Sequence, residues 1–173
     1  MRTIIVVLFL LLYTIVSLPM YLIGFILGKM DPKKKVRMSQ RFVAGGFRCI
    51  LFLSGVKVTV KGKENQIHDK AALYVFNHRS FFDIVVGYAT APIPSAFVSK
   101  KEIAKVPMIS WWMKYLNCLF LDRDDIRQGM KVILTGIELM KEGTNIFIAP
   151  EGTRNSSDEL LPFHEASFKL AEK

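Results

Sequence analysis

The apolar positions divide the chain into three regimes. Residues 3 to 28, "TIIVVLFLLLYTIVSLPMYLIGFILG", carry no charge at all. As one helix this run reaches about 39 Å, against roughly 30 Å of hydrocarbon in a bilayer, so it is long enough to cross a membrane. Pro19 lies inside it, and a proline in a helix interior removes a hydrogen bond and kinks or breaks the element. A straight span and a helical hairpin dipping into one leaflet both fit this pattern. Arg2 ahead of the run also suits a signal peptide, but the run is long and closes on no small-residue cleavage site, so an uncleaved anchor is expected.

The second regime, residues 36 to 56, keeps a helical period. Arg37, Arg41 and Arg48 are spaced by four and seven and share one stripe of an otherwise apolar helix. Two placements fit: at a membrane interface with the arginines toward head groups, or packed as a second helix that covers the anchor.

From residue 57 the pattern becomes short β-type runs alternating with longer helical ones. Within "VKVTVKG", residues 57 to 62 alternate like a half-exposed strand, and "AALYVF" (71 to 76) reads as a buried one. Helix is expected over 81 to 90, strand over 95 to 100, helix over 105 to 116 and strand over 118 to 122. Residues 124 to 142 come next as a helix whose face is Ile126, Met130, Ile133, Ile137 and Met140, with aspartates at its start and Gly143 at its end. "NIFIAP" (145 to 150) is the last strand. Strands alternating with helices require crossover connections, so the fold class is α/β: a mainly parallel sheet covered by helices, preceded by a membrane-associated helical segment. The division expected is 1–56 for the anchor and basic amphipathic helix and 57–173 for the α/β domain.

Composition and charge then narrow the partners. The chain is 51% hydrophobic and carries a net charge of +9. Such a charge suits nucleic acid or anionic lipid, and beside a hydrophobic anchor lipid is the better reading, each juxtamembrane Lys or Arg contributing about 1 kcal/mol near an anionic leaflet. Nucleic acid is not an expected partner. Lys29, Lys33, Lys34, Lys35 and Arg37 flank the anchor against Asp31 alone, which places the chain beyond residue 30 on the cytoplasmic face of a cell membrane. Cys49 and Cys118 stand apart, without metal-ligand spacing, and fit a reducing compartment.

Ligands of an open α/β sheet gather beyond the carboxyl ends of its strands. Three polar clusters fall there: "NHRSFFD", "DRDD" and "EGTR". Ser80 and Asp83 suit the start of a helix, Ser80 as cap and Asp83 in the first turn. His78 and Asp83 lie about 140° apart on a continuous helix, so they meet only if the chain turns between them. With that turn, a carboxylate on one ring nitrogen fixes the tautomer and makes the other nitrogen a general base. Ser80 is the only hydroxyl inside the motif and lies on no nucleophile elbow, which counts against a serine hydrolase. In "APEGTRNSS" an arginine on a glycine-containing turn suits a phosphate, while a plain turn with a solvated arginine is the simpler reading.

"NHRSFFD", "FLDRDD" and "APEGTR", in this order behind an anchor, resemble the motifs of the glycerolipid acyltransferase family, and most of all those of bacterial 1-acyl-sn-glycerol-3-phosphate acyltransferases. The resemblance implies an acyl chain moved from acyl-CoA or acyl-carrier protein to the 2-hydroxyl of lysophosphatidate. His78 is then the base and Asp83 its orienting partner. Arg123, Glu151, Gly152, Thr153 and Arg154 bind the acceptor, and Lys100 and Lys101, in "FVSKKEIAKVPMISWW", are weaker candidates for phosphate or thioester carrier. It implies no metal and no cofactor besides the acyl donor; membrane lipids, lysophosphatidate and the donor are the partners. Glycerol 3-phosphate or another lysophospholipid is the alternative acceptor, and a lipid-binding protein without chemistry is the alternative class. Asn117 stands where the second motif usually has glycine. The family normally continues past the counterpart of "PFHEASFKLAEK" through a further strand with a proline-containing fourth motif, so a domain truncated at its C-terminus is expected.

Overall fold

Residues 1–171 are described by a computed structural model of the chain. Two long helices come first. Helix α1 (Arg2–Met30) runs through Pro19 without ending, and the break falls instead at Asp31, which is extended at φ −148°. The Asp31 side chain accepts the Lys34 N–H at 2.9 Å and Pro32 takes the first helical position, a strong start for α2 (Pro32–Ser54). The chain therefore makes a helical hairpin whose bend lies at Asp31, well past the point that Pro19 suggests.

The hairpin is tightly joined. The Tyr13 hydroxyl donates to Phe42 O at 2.9 Å, and a Cβ on Gly46 would sit 2.5 Å from the Tyr13 ring, so only glycine lets the two helices approach this closely. Beyond this seam α1 is apolar and open: Leu8, Leu11, Leu12, Ile15, Leu22 and Phe25 are exposed. Of the two placements of α2, the packed second helix covering the anchor is the one seen, while Arg37 and Arg41 stay exposed. Val36, Val43, Ala44 and Leu51 are buried, and Arg48 Nε donates to Ala89 O at 3.0 Å. A cation on the last carbonyls of a neighbouring helix is a favourable place for it.

Residues 57–62 form no strand. All six are exposed, and no described strand lies beside them to supply a ladder, without which alternation alone does not hold a strand. The sheet consists of β1 (Leu73–Val75), β2 (Ser95–Lys100), β3 (Leu119–Leu121) and β4 (Asn145–Ile148), in the order β1-β4-β2-β3 with every pair parallel. The register levels Val75 with Ile148 and Lys100 with Leu121, so the loops beyond these strands leave from one edge.

Helices α3 (Phe82–Thr90), α4 (Ile109–Tyr115) and α5 (Ile126–Lys141) make the crossovers. Successive strand residues point to opposite faces, and the core splits accordingly. Phe97 joins Tyr88, Trp112, Tyr115 and Leu116 on the face covered by α2, α3 and α4; Ala96, Leu119, Ile137, Ile146, Ile148 and Leu170 fill the other. Tyr74, Phe147 and Phe97 stack at centroid distances of 4.5 and 4.6 Å, and Tyr88 lies tilted against Phe97 at 4.2 Å. Burial of a ring such as Phe97 contributes about 2–3 kcal/mol.

Two helix expectations change. The stretch 105 to 116 is broken: a 3-10 turn spans Lys101–Lys105, and Met108 at φ 60° precedes α4. Pro107 donates no hydrogen bond and pushes Val106 to an extended ψ of 110°, which ends the first piece. On α5, Ile126 and Met130 are exposed at 85% and 57%, so they leave the expected apolar face. The partners beneath the helix, Leu119, Ile146, Ile148 and Leu170, meet it only from Val132 onward.

Gln40 ties the hairpin to the sheet. Its amide is fully buried, with Nε2 donating to Pro92 O at 3.0 Å and Oε1 accepting from Ser95 N–H at 2.7 Å. Both ends are satisfied, so burial of the amide carries no penalty for an unmade bond.

Candidate active site

Strand β1 ends at Val75 and α3 begins at Phe82, which leaves a short loop to make the turn. Ser80 Oγ accepts the Phe82 N–H at 3.0 Å, and Asp83 Oδ2 accepts the N–H groups of Arg79 and Ser80 at 2.7 Å each. These are the bonds of a helix start. The same Oδ2 lies 2.9 Å from His78 Nδ1, so the cap and the histidine partner are one atom. Burial alone pushes the Asp83 carboxyl up, but the hydrogen bonds from Ser80, His78 and Arg79 outweigh it and hold the group below the ordinary carboxylate range. An ionised acceptor on Nδ1 places the proton there and leaves Nε2 as the free lone pair. The two side chains are 21% and 25% exposed, open enough to be reached from one side.

The loop after β4 is built differently. Glu151 is 5% exposed, and its Oε2 accepts from Asn155 Nδ2 at 3.0 Å and from Leu161 N–H at 3.2 Å. The carboxylate is therefore turned into its own loop, where it fixes the Gly152–Arg154 turn from below. Asn155 also donates its backbone N–H to His78 O at 2.8 Å, which ties this loop to the histidine. Gly152 is left-handed at φ 73°, and Arg154 lays its guanidinium 4.3 Å over the Phe81 ring at the start of α3. Thr153 is exposed between them.

Arg123, from the loop after β3, reaches Gly152: a Cβ there would lie 3.3 Å from the Arg123 Cζ, and 2.9 Å from the ring of His164. Lys101 Nζ bonds Asp122 Oδ2 at 2.6 Å, which raises the lysine's pKa and lowers that of the aspartate. Its charge is thus committed across the ends of β2 and β3. Lys100 is exposed at the end of β2, with no described contact to the other site residues. Asn117 takes φ 56°, the conformation for which glycine is the usual choice and asparagine the best substitute.

His78, Asp83 and Arg154 thus share one edge of the sheet, and Arg123 reaches the Gly152 turn from the loop after β3. Asn155 and His164 were not legible as site residues. Asn155 lies directly after the third motif, a position that offers a signal only once the loop's closure onto His78 is known.

The family described as Acyltransferase matches residues 57–173. A chloroplastic 1-acyl-sn-glycerol-3-phosphate acyltransferase, LPAT1, of Arabidopsis thaliana is 33% identical over 146 residues, covering 83% of this chain and 40% of that protein. The 1-acyl-sn-glycerol-3-phosphate acyltransferase of Borreliella burgdorferi is 28% identical over 137 residues, covering 79% and 55%. This chain spans about half the length of the curated relatives it matches. The crystal structure of the 1-acyl-sn-glycerophosphate acyltransferase PlsC from Thermotoga maritima superposes with a TM-score of 0.71 at 27% identity, over 99% of this chain and 70% of that one. The match takes in both the leading helices and the parallel sheet of this chain. By sequence and by architecture, the chain belongs to the acyltransferase family.

Proposed function

We propose that the chain transfers a fatty acyl group from a thioester of coenzyme A or acyl-carrier protein to the 2-hydroxyl of 1-acyl-sn-glycerol 3-phosphate, giving phosphatidate. The observation that carries this reading is the 2.9 Å bond between His78 Nδ1 and Asp83, with Nε2 left free on the edge that also holds Arg154. The name shared by the relatives supports lysophosphatidate as acceptor.

In the reaction, Nε2 of His78 takes the hydroxyl proton as the acceptor oxygen attacks the thioester carbonyl. The new C–O bond forms, the C–S bond breaks, and the departing thiolate takes the proton back from the imidazolium, which returns the histidine to its neutral form. Asp83 stays ionised throughout and steadies the transient positive charge. Arg154 and Arg123 hold the acceptor's phosphate, with Thr153 between them; Glu151 acts indirectly by keeping the turn in shape. Lys100, the exposed last residue of β2, is a candidate contact for the phosphate or the thioester carrier. The catalytic groups all come from the chain, and the donor is the sole co-reactant.

Helix α1 is long and apolar enough to cross a membrane. It runs unbroken through Pro19, so the hairpin within this run is not formed; α2 and α4 hold Tyr13 and Tyr21 along one side while the outer face stays apolar. That outer face is the surface offered to the bilayer, and the basic flank at Lys29 to Arg37 supports a cytoplasmic position for the domain. Acceptor and product both live in the bilayer, which gives the anchor its purpose. Thioester-dependent formation of phosphatidate by membranes holding the chain is the test, run with lysophosphatidate, glycerol 3-phosphate and other lysophospholipids as competing acceptors. Lysophosphatidate is expected to be used best, and preference for another acceptor sinks the assignment.

A further inference from the structure

The space that a side chain at Gly152 would take is already filled. A Cβ there would meet His164 Nε2 and Cδ2 at 2.9 Å and Arg123 Cζ at 3.3 Å. An imidazole edge and a guanidinium therefore meet over the backbone of the turn that carries Thr153 and Arg154. We infer that His164 is a further ligand of the acceptor's phosphate, completing with Arg123 and Arg154 a three-sided cradle around Gly152. The inference rests on the acceptor proposed above.

Position supports it first. His164 is held at the turn by its own backbone, whose N–H donates to Pro150 O at 2.9 Å and whose carbonyl accepts the Ser167 N–H at 2.9 Å. Arg154 rests on Phe81, in the loop that carries His78, while Arg123 and His164 lie together over Gly152. A phosphate monoester has three peripheral oxygens and a charge of about −1.5 to −2 at neutral pH, which suits donors arriving from several directions.

Charge supports it second. Of the basic groups around the site, Arg79 and Lys101 are bound to Asp158 and Asp122. Among the described residues, Arg123, Arg154 and His164 form no ion pair with a carboxylate. The cations that face the turn are the ones kept available for an anion, and an imidazole N–H donates to a phosphate oxygen whether the ring is neutral or charged.

The test uses the intact chain in detergent micelles, where its three histidines, His68, His78 and His164, give three imidazole signals by NMR. Lysophosphatidate is expected to shift the His164 signal, and a monoacylglycerol, which lacks the phosphate, to leave it in place. His164→Ala is expected to weaken lysophosphatidate binding about tenfold, and His164→Lys, which restores a donor with charge, to bring it back within about twofold. Arg154→Ala is measured beside them. Weakening by Arg154→Ala but not by His164→Ala overturns the role of His164 alone; weakening by neither overturns the acceptor reading beneath it. Weakening by His164→Ala that His164→Lys fails to repair also overturns the inference, since packing on Gly152 would then be what was lost.

Discussion

The loop after β1 and the loop after β4 serve the same site by opposite means. The first closes its circuit within a few residues: His78, Arg79, Ser80 and Asp83 bond one another, and the carboxylate that starts the helix is the one that orients the base. The second draws on distant chain. Glu151 leans on Leu161, Gly152 is covered by Arg123 and His164, and Arg154 rests on Phe81. In the function proposed, proton transfer is organised by local hydrogen bonds and anion binding by the sheet, which brings separate loops to one edge. The two should fail separately.

The largest expected effect breaks the first loop. His78→Ala removes the base and lowers the rate of phosphatidate formation by about 10²–10⁴, while lysophosphatidate binding stays near the parent's level. A matching loss of binding would mean that the two loops are not independent. Next comes Glu151→Ala, which leaves the Leu161 N–H without its acceptor and takes one of two acceptors from the Asn155 amide, Glu159 O being the other. It is expected to lower unfolding stability by about 1–3 kcal/mol, read by denaturant titration. A weaker acceptor affinity with unchanged stability would instead make Glu151 a direct ligand.

Arg154→Ala is expected to raise the acceptor KM about tenfold with little change in kcat, as steady-state kinetics would report. A collapse of kcat would show that the guanidinium takes part in the chemistry. The smallest effect lies in pH. The folded Asp83 carboxyl titrates below its ordinary value, near 3.9, so its stabilisation is complete above that value and is lost as pH falls through the lowered folded one. The gap in melting temperature between the parent and Asp83→Asn should therefore be widest near neutrality and shrink in acid below about pH 4. A gap that widened in acid would reverse the sign of the coupling.

This contrast also explains what the sequence could disclose. The helix start at Ser80 and the aspartate at Asp125 depend on neighbours three residues away, and both are legible. Alternation at 57–62 and the face beginning at Ile126 imply burial, yet each lacks a partner surface that only the assembled sheet could supply. Gln40 offers no periodic signal at all, since its bonds reach Pro92 and Ser95 across 52 and 55 residues. The bonds of Glu151 are hidden for the same reason: nothing in the motif announces that Asn155 and Leu161 donate to its carboxylate.

The clamp at Gln40 bears on how the molecule meets a lipid. A soft tether between anchor and catalytic domain would let the domain rise, dip and tilt above a membrane, sampling many altitudes. Here the hairpin is fastened to the root of β2 by a satisfied buried amide, so tilting the domain away from α1 means breaking two hydrogen bonds in a dry interior. With α1 in a membrane and His78 as the base, as proposed above, the histidine keeps one working height over the lipid. Encounter then becomes a search in two dimensions, in which lipids drift laterally to a fixed station and the protein has no need to reach for them.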